Sequence, residues 1–194
     1  MTGVYKPTTN HPWLQGEVSS ARISLYTALG NVVDDARPTP QCRTYVPRNE
    51  RHSRPSIPHK VVASFYVNGN IGIRLEDALQ NRFTDLEGKD QPAFGDHFDS
   101  IKASLWLQWP GYPPHTRQVH IRHARKIPVP ISLSKAAHII AREMDRNVLK
   151  RVDYRGTEPE WQLGADSITL KDIYLTRVIR TSKASIEAEF QIEH

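Results

Sequence analysis

Cysteine is nearly missing from this chain. Cys42 stands alone among 194 residues, so no disulfide can close within it, and no Asn-x-Ser/Thr sequon is present. Both absences argue against a disulfide-stapled secreted scaffold and lead us to expect a cytoplasmic or nuclear protein. Long apolar runs are absent as well, and Met1–Trp13 is polar and proline-bearing, unlike a signal peptide. No membrane partner is expected. The chemistry-bearing motifs are also wanting. There is no Gly-x-Ser-x-Gly elbow, no Walker A loop and no Gly-x-Gly-x-x-Gly turn; there is no Cys-x-x-Cys, no His-Glu-x-x-His and no calcium loop. The sequence therefore points to no catalytic residue, no metal site and no cofactor.

One further absence is local. Ser100 to Arg142 contains no Asp or Glu, yet holds Lys102, Arg117, Arg122, Arg125, Lys126, Lys135 and Arg142, together with His115, His120, His123, His138, Trp106 and Trp109. The net charge of +5 has its own address. Arg37 to Lys60 carries six basic residues against Glu50, and the remaining 20 basic and 20 acidic residues balance. Arginine outnumbers lysine by 17 to 9, which favours forked contacts to phosphate or carboxylate. A basic arm and a basic stretch together can attract a polyanion.

The periodicities predict an α+β fold. From Gly16 to Gly30, Val18, Ala21, Leu25, Ala28 and Leu29 recur at helical spacing, with Gly30-Asn31 suited to end a helix. Arg37 to Lys60, with five prolines and five arginines, reads as an extended arm that cannot repay its ordering entropy by burial. We thus expect an N-terminal helix and basic Pro/Arg-rich arm over residues 1–60 and an α+β domain over 61–194. In the latter, Val61–Val67 and Asn70–Ile73 flank Asn68-Gly69, a strong hairpin signal. A helical face then runs through Leu75, Ala78, Leu79, Phe83 and Leu86.

Ala103, Leu105 and Leu107 alternate with Ser104, Trp106 and Gln108 as a two-faced strand. Trp109 to Pro114 must turn, and Arg117–His123 returns. Ser132 or Ser134 caps a helix with the face Ala136, Ile139, Ile140, Met144, Val148 and Val152. Ile173–Arg180 and Ser185–Glu193 close the chain as strands, the last with Ile186, Ala188, Phe190 and Ile192 against an acidic face expected to be wet. The order ββα-ββα-ββ predicts an antiparallel sheet of about six strands with helices packed on one face.

The candidate site follows from charge and aromatics. Arg43, Arg48, Arg51 and Arg54 of the arm could track phosphates. Lys102, Trp106, Arg117, His120, Arg122, Arg125 and Lys126 of the central unit could hold phosphates and stack a base. The plainer alternative puts Trp106 beneath another element and makes the arm a solvated linker. His115, His120 and His123 lie close in sequence, but His120 and His123 point to opposite faces of a strand, which spoils chelation. Asp96, His97 and Asp99 offer acid-base groups without a motif.

The leading expectation is a non-catalytic binding protein for an anionic partner, nucleic acid foremost. The alternative is a self-assembling or partner-binding structural protein, a homo-oligomer through the arm or the C-terminal strand. An enzyme with no local signature ranks third.

The runs Gly69-Asn70-Ile71-Gly72-Ile73-Arg74-Leu75, Leu107-Gln108-Trp109-Pro110-Gly111-Tyr112, and Trp161 with Ile168-Thr169-Leu170-Lys171-Asp172 carry a resemblance. They are similar to uncharacterised proteins of mushroom-forming fungi, over roughly Val61 to the C-terminus. The resemblance implies an intracellular fungal origin and carries no activity.

Overall fold

Alternation of apolar and polar side chains decides the centre of the fold, because a pleated strand sends successive residues to opposite faces. The computed structural model describes residues 43–47, 59–95, 98–124, 127–146 and 156–193. The chain divides into units of residues 1–35 and 36–194, and every described residue belongs to the second. The boundary expected near residue 61 thus falls inside a compact unit. The helix expected over Gly16–Gly30 lies outside the described residues.

The longest pairing is the hairpin of β10 (Ile173–Ser182) and β11 (Ser185–Glu193). Its outer edges are taken by four shorter strands. β2 (Lys60–Ser64) and β5 (Ile73–Arg74) pair successively along β10, both antiparallel. On the other side, β6 (Lys102–Leu107) pairs with the start of β11 and β1 (Arg43–Tyr45) with its end. β7 (His115–His120) adds antiparallel to β6 and completes a seven-stranded sheet. Two small ribbons stand apart. β3 (Tyr66–Val67) pairs with β4 (Asn70–Ile71), and β8 (Arg122–His123) with β9 (Val129–Pro130).

The α+β class is as expected, but the sheet is mixed and not purely antiparallel. Ser185, Ile186 and Glu187 run parallel to Ser104, Leu105 and Trp106. Side-chain periodicity identifies each hairpin and its faces; it says nothing about the direction in which two hairpins join edge to edge. Arg43–Tyr45 is a further departure, a strand within a segment expected to be an extended arm.

Local chemistry explains the elements. Asn68 and Gly69 both hold positive φ, 49° and 80°, as a two-residue hairpin turn demands, and the Gly69 N–H donates to Glu87 Oε1 at 2.7 Å. α1 is shorter than the pattern suggested. It covers Leu75–Leu79, because Asn81 turns left-handed at φ 58° and ends the helix before Phe83 and Leu86 can join it. α2 (Leu133–Met144) starts at Ser132, whose Oγ accepts the Lys135 N–H at 3.2 Å. It buries Ala136, Ile139, Ile140 and Met144; Val148 and Val152 lie outside the described residues.

These side chains share one core with Leu75 and Ala78 of α1 and with Ala103, Leu105, Val119, Leu175, Val178, Ile186 and Phe190 of the sheet. The acidic face of β11 is not wet. Glu187 and Glu189 are 3% and 9% exposed, since β11 lies in the sheet interior with strands along both edges.

The turn after β6 clamps a distant segment. Trp109 Nε1–H donates to the Trp161 carbonyl at 2.8 Å, and the two indoles meet edge to face at 6.1 Å. Tyr112 Oη accepts from the Leu163 N–H at 3.0 Å and the Gln162 amide at 2.9 Å. Gly111 makes the approach feasible: its φ is +75°, and a Cβ there would sit 2.7 Å from the Glu158 nitrogen. Gly111→Ala is therefore expected to destabilise the fold by more than the roughly 1–2 kcal/mol that a left-handed residue alone costs. Urea denaturation reads this as a lower midpoint at an unchanged slope, and an unchanged midpoint would show that the clamp gives way without cost.

Candidate functional site

The β6–β7 hairpin turns one face to the core and one away from it. On the latter, Lys102 stands directly opposite His120, Ser104 opposite Gln118, and Trp106 opposite Thr116. Lys102, Gln118, His120 and Thr116 are exposed, Ser104 and Trp106 half-buried. Trp106 is flanked on its other side by Glu187, a buried carboxylate with its own interactions. The indole is thus neither sealed beneath a layer nor fully open. β8 continues the chain from this face into a ribbon whose far side exposes Ile127 (77%) and Val129 (45%).

The other expected residues divide. Arg122 is half-buried and donates from Nη2 to the Gly95 carbonyl at 3.4 Å, at the root of the ribbon. Arg117 stands on the other face of the hairpin. It shares the parity of Val119, not of His120, and so reaches over the core side, where its Nε lies 3.4 Å from Glu143 of α2. Glu143 is 1% exposed and also has Arg142 at 3.7 Å. Arg117 serves a buried carboxylate, which is costly to leave uncompensated. Arg48, Arg51, Arg54, Arg125 and Lys126 lie outside the described residues, as do Asp96 and His97 of the acid-base trio; Asp99 is exposed.

Arg43 lies far from Lys102. Its β1 pairs with the last residues of β11, and β6 with the first. Ser185 to Glu193 spans about 26 Å at the usual rise of a strand. The arm's described arginine and the hairpin cations therefore occupy opposite ends of one sheet.

At its own end Arg43 joins residues that the sequence reading did not single out. Its guanidinium lies 3.4 Å above the Tyr174 ring, and Nη1–H donates to the Ile71 carbonyl at 2.7 Å. Arg74 donates from Nε and Nη2 to Tyr174 Oη at 3.0 and 2.6 Å, and Tyr174 in turn donates to Glu193, which lies 3.6 Å from Arg74. Gly72 permits the stack: at φ +102° it has no Cβ to meet Tyr174 Cβ at 3.1 Å and Arg43 Nη1 at 3.2 Å. The signal in the sequence was cross-strand. Arg43 and Tyr45 alternate on β1 as Gln191 and Glu193 do on β11, but that complementarity means something only once the strands are known to pair.

The electrostatics of this cluster give a pH dependence. Burial pushes the Tyr174 phenol above its ordinary value, its hydrogen bond to Glu193 adds to the shift, and Arg74 and Arg43 oppose it. The Arg74 guanidinium is held up first by its hydrogen bond to Tyr174. For a phenol with a raised folded-state pKa, the unfolded chain loses its proton first. The stabilising contribution is therefore complete below about pH 10 and is lost as pH rises beyond it. Tyr174→Phe should be less stable than the parent at neutral pH, and its urea midpoint should fall less steeply above about pH 10. Parallel midpoint curves for the two proteins would remove Tyr174 as the source. Compared with known proteins, the chain matches no family model, no curated protein and no solved structure.

Proposed function

We propose that this chain is a binding protein for an anionic polymer, nucleic acid foremost, which it contacts through the outward face of the β6–β7 hairpin and the adjoining β8–β9 ribbon. The observation that carries the reading is the direct opposition of exposed Lys102 and His120, with exposed Gln118 one step and half-buried Trp106 two steps further along the same face. Lysine and histidine can hold successive phosphates, glutamine can meet a base edge, and an indole partly open to solvent offers a stacking surface. The absence of any acid between Ser100 and Arg142 leaves no like charge within the hairpin to repel a phosphate backbone. Glu187 is the nearest carboxylate by register, and it is buried. Exposed Ile127 and Val129 give the ribbon an apolar tip beside the basic Arg122 and His123.

Filter binding of single- and double-stranded oligonucleotides at low and moderate salt tests this. We expect salt-sensitive binding that favours single strands. The double substitution Lys102→Ala, His120→Ala, at exposed positions, should weaken it about tenfold, and the salt slope should fall by about 0.7 for each phosphate that the variant no longer neutralises. No salt-dependent binding at micromolar protein would end the proposal.

Self-association is the second reading. β11 is paired along both edges, whereas β1 of the arm, β2, β5 and β7 each pair along one edge only among the described residues. Assembly through the sheet would add strand to strand there. Sedimentation of the parent and of Gln118→Pro tests β7 against the other edges: a dimer abolished by that substitution uses β7, one that persists uses another strand, and a monomer in the parent removes the reading.

A further inference from the structure

We propose that the cleft between β1, the β3–β4 turn and Tyr174 is a binding site for a phosphate group, free or as a small phosphate monoester, gripped by Arg43 and Arg74. The cleft measures about 350 Å³ and is lined by both arginines with Asn68, Asn70, Asp77 and Tyr174. It lies at the opposite end of the sheet from the Lys102–His120 pair, so it stands or falls independently of the polymer reading.

Charge is the first argument. Two carboxylates border the cleft, and each already has a cation. Asp77 is held by Arg82 at 2.6 Å, and Glu193 accepts the Tyr174 hydroxyl proton and lies beside Arg74. Among the described residues no carboxylate forms an ion pair with Arg43. Its positive charge is the local surplus.

Donor geometry is the second. A guanidinium has five N–H donors in one plane, and stacking on Tyr174 fixes that plane. Of these donors, Nη1 reaches the Ile71 carbonyl, and Nε is buried without a hydrogen-bond partner. That Nε has no surface of its own, so an anion in the cleft meets the guanidinium through its charge and its remaining Nη donors. Arg74 is fixed by its two bonds to Tyr174 Oη, so a second cation is already positioned and loses little freedom on binding. The Asn68 and Asn70 amides add neutral donors at the rim.

Size and shape restrict the ligand. A phosphate alone underfills 350 Å³, which leaves room for the organic part of a monoester. A nucleobase cannot take the Tyr174 face over which Arg43 already lies, so the site recognises the phosphate and not a ring stacked upon the tyrosine.

The test uses the full chain and follows the arginine side-chain N–H resonances by NMR, with calorimetry alongside, as inorganic phosphate or ribose 5-phosphate replaces chloride at constant ionic strength. We expect saturable shifts confined to Arg43 and Arg74 with a dissociation constant near the millimolar range. Asn70→Asp places a negative charge at the exposed rim without disturbing the core, and should weaken binding at least about tenfold. Arg74→Met should abolish it. Tighter binding of ribose 5-phosphate than of phosphate marks an ester site, and equal binding a site for the free anion. The proposal is overturned by shifts that do not saturate, by equal shifts in chloride, or by parent-like affinity in a folded Asn70→Asp protein.

Discussion

Backbone pairing along the β10–β11 hairpin is the constraint on which the rest of the described structure depends. A strand in the middle of a sheet must satisfy N–H and C=O groups on both edges, and here two long strands distribute that demand over four short ones. β2 and β5 share one edge; β6 and β1 share the other. Two of the four could not stand alone, since Ile73–Arg74 has two residues and Arg43–Tyr45 three. The hairpin makes strands of these two, while β6 is paired over its whole length with β7 as well. It also decides which side chains meet, because any residue's neighbours are fixed by its register on β10 or β11.

Register has electrostatic consequences. Seating β11 in the sheet interior buries Glu187 and Glu189, which a half-wet strand would have left in water. A buried carboxylate needs donors, and Tyr45 Oη–H supplies one to Glu189 at 2.8 Å. Thus β1 is more than a filler of backbone bonds: it brings a phenol to a buried acid and a guanidinium to Tyr174. On the other side of the sheet Glu143 repeats the theme, with Arg117 from β7 and Arg142 from its own helix. Three of the chain's carboxylates are therefore occupied with internal partners, and this part of the acidic composition says little about the surface a ligand meets.

What could be read from the sequence was local. The Asn68-Gly69 turn, the Ala103/Leu105/Leu107 alternation and the Ser132 cap are each set by neighbours within a few residues, and each is found where the pattern places it. The end of α1 was missed because a helical face continues through Phe83 and Leu86 in projection, while the left-handed Asn81 breaks the backbone between. The parallel join of β6 to β11 was missed for a different reason. It relates residues far apart in the chain, and neither strand's alternation changes with its neighbour's direction. The candidate surfaces follow the same rule. Lys102 and His120 lie within one hairpin, so both could be placed on one face from the sequence, whereas Arg74, Tyr174 and Glu193 converge on Arg43 only through three separate strands.

Among the described residues the basic segment Arg37–Lys60 meets the sheet at two places, Arg43 at the end of β11 far from the β6–β7 hairpin and Lys60 opposite Arg180, which pairs with Ile186 at the near end. A polymer gripped at Lys102 and His120 would need several nucleotides to reach Arg43, with Glu187, Glu189 and Gln191 on the path along the same face. The two acids among them are already engaged and buried, so they neither attract nor strongly repel what passes over them. Neither end depends on the other for its geometry. At the hairpin, opposed side chains on adjacent strands present charge outward with little around them. At the Arg43 end, stacking, hydrogen bonding and a glycine's missing Cβ hold the guanidinium still in a small cleft. An open, adaptable surface suits an extended polyanion, and a cleft whose guanidinium is held in place suits a single compact anion. The strand order thus gives Arg43 and the Lys102–His120 pair two differently built surroundings.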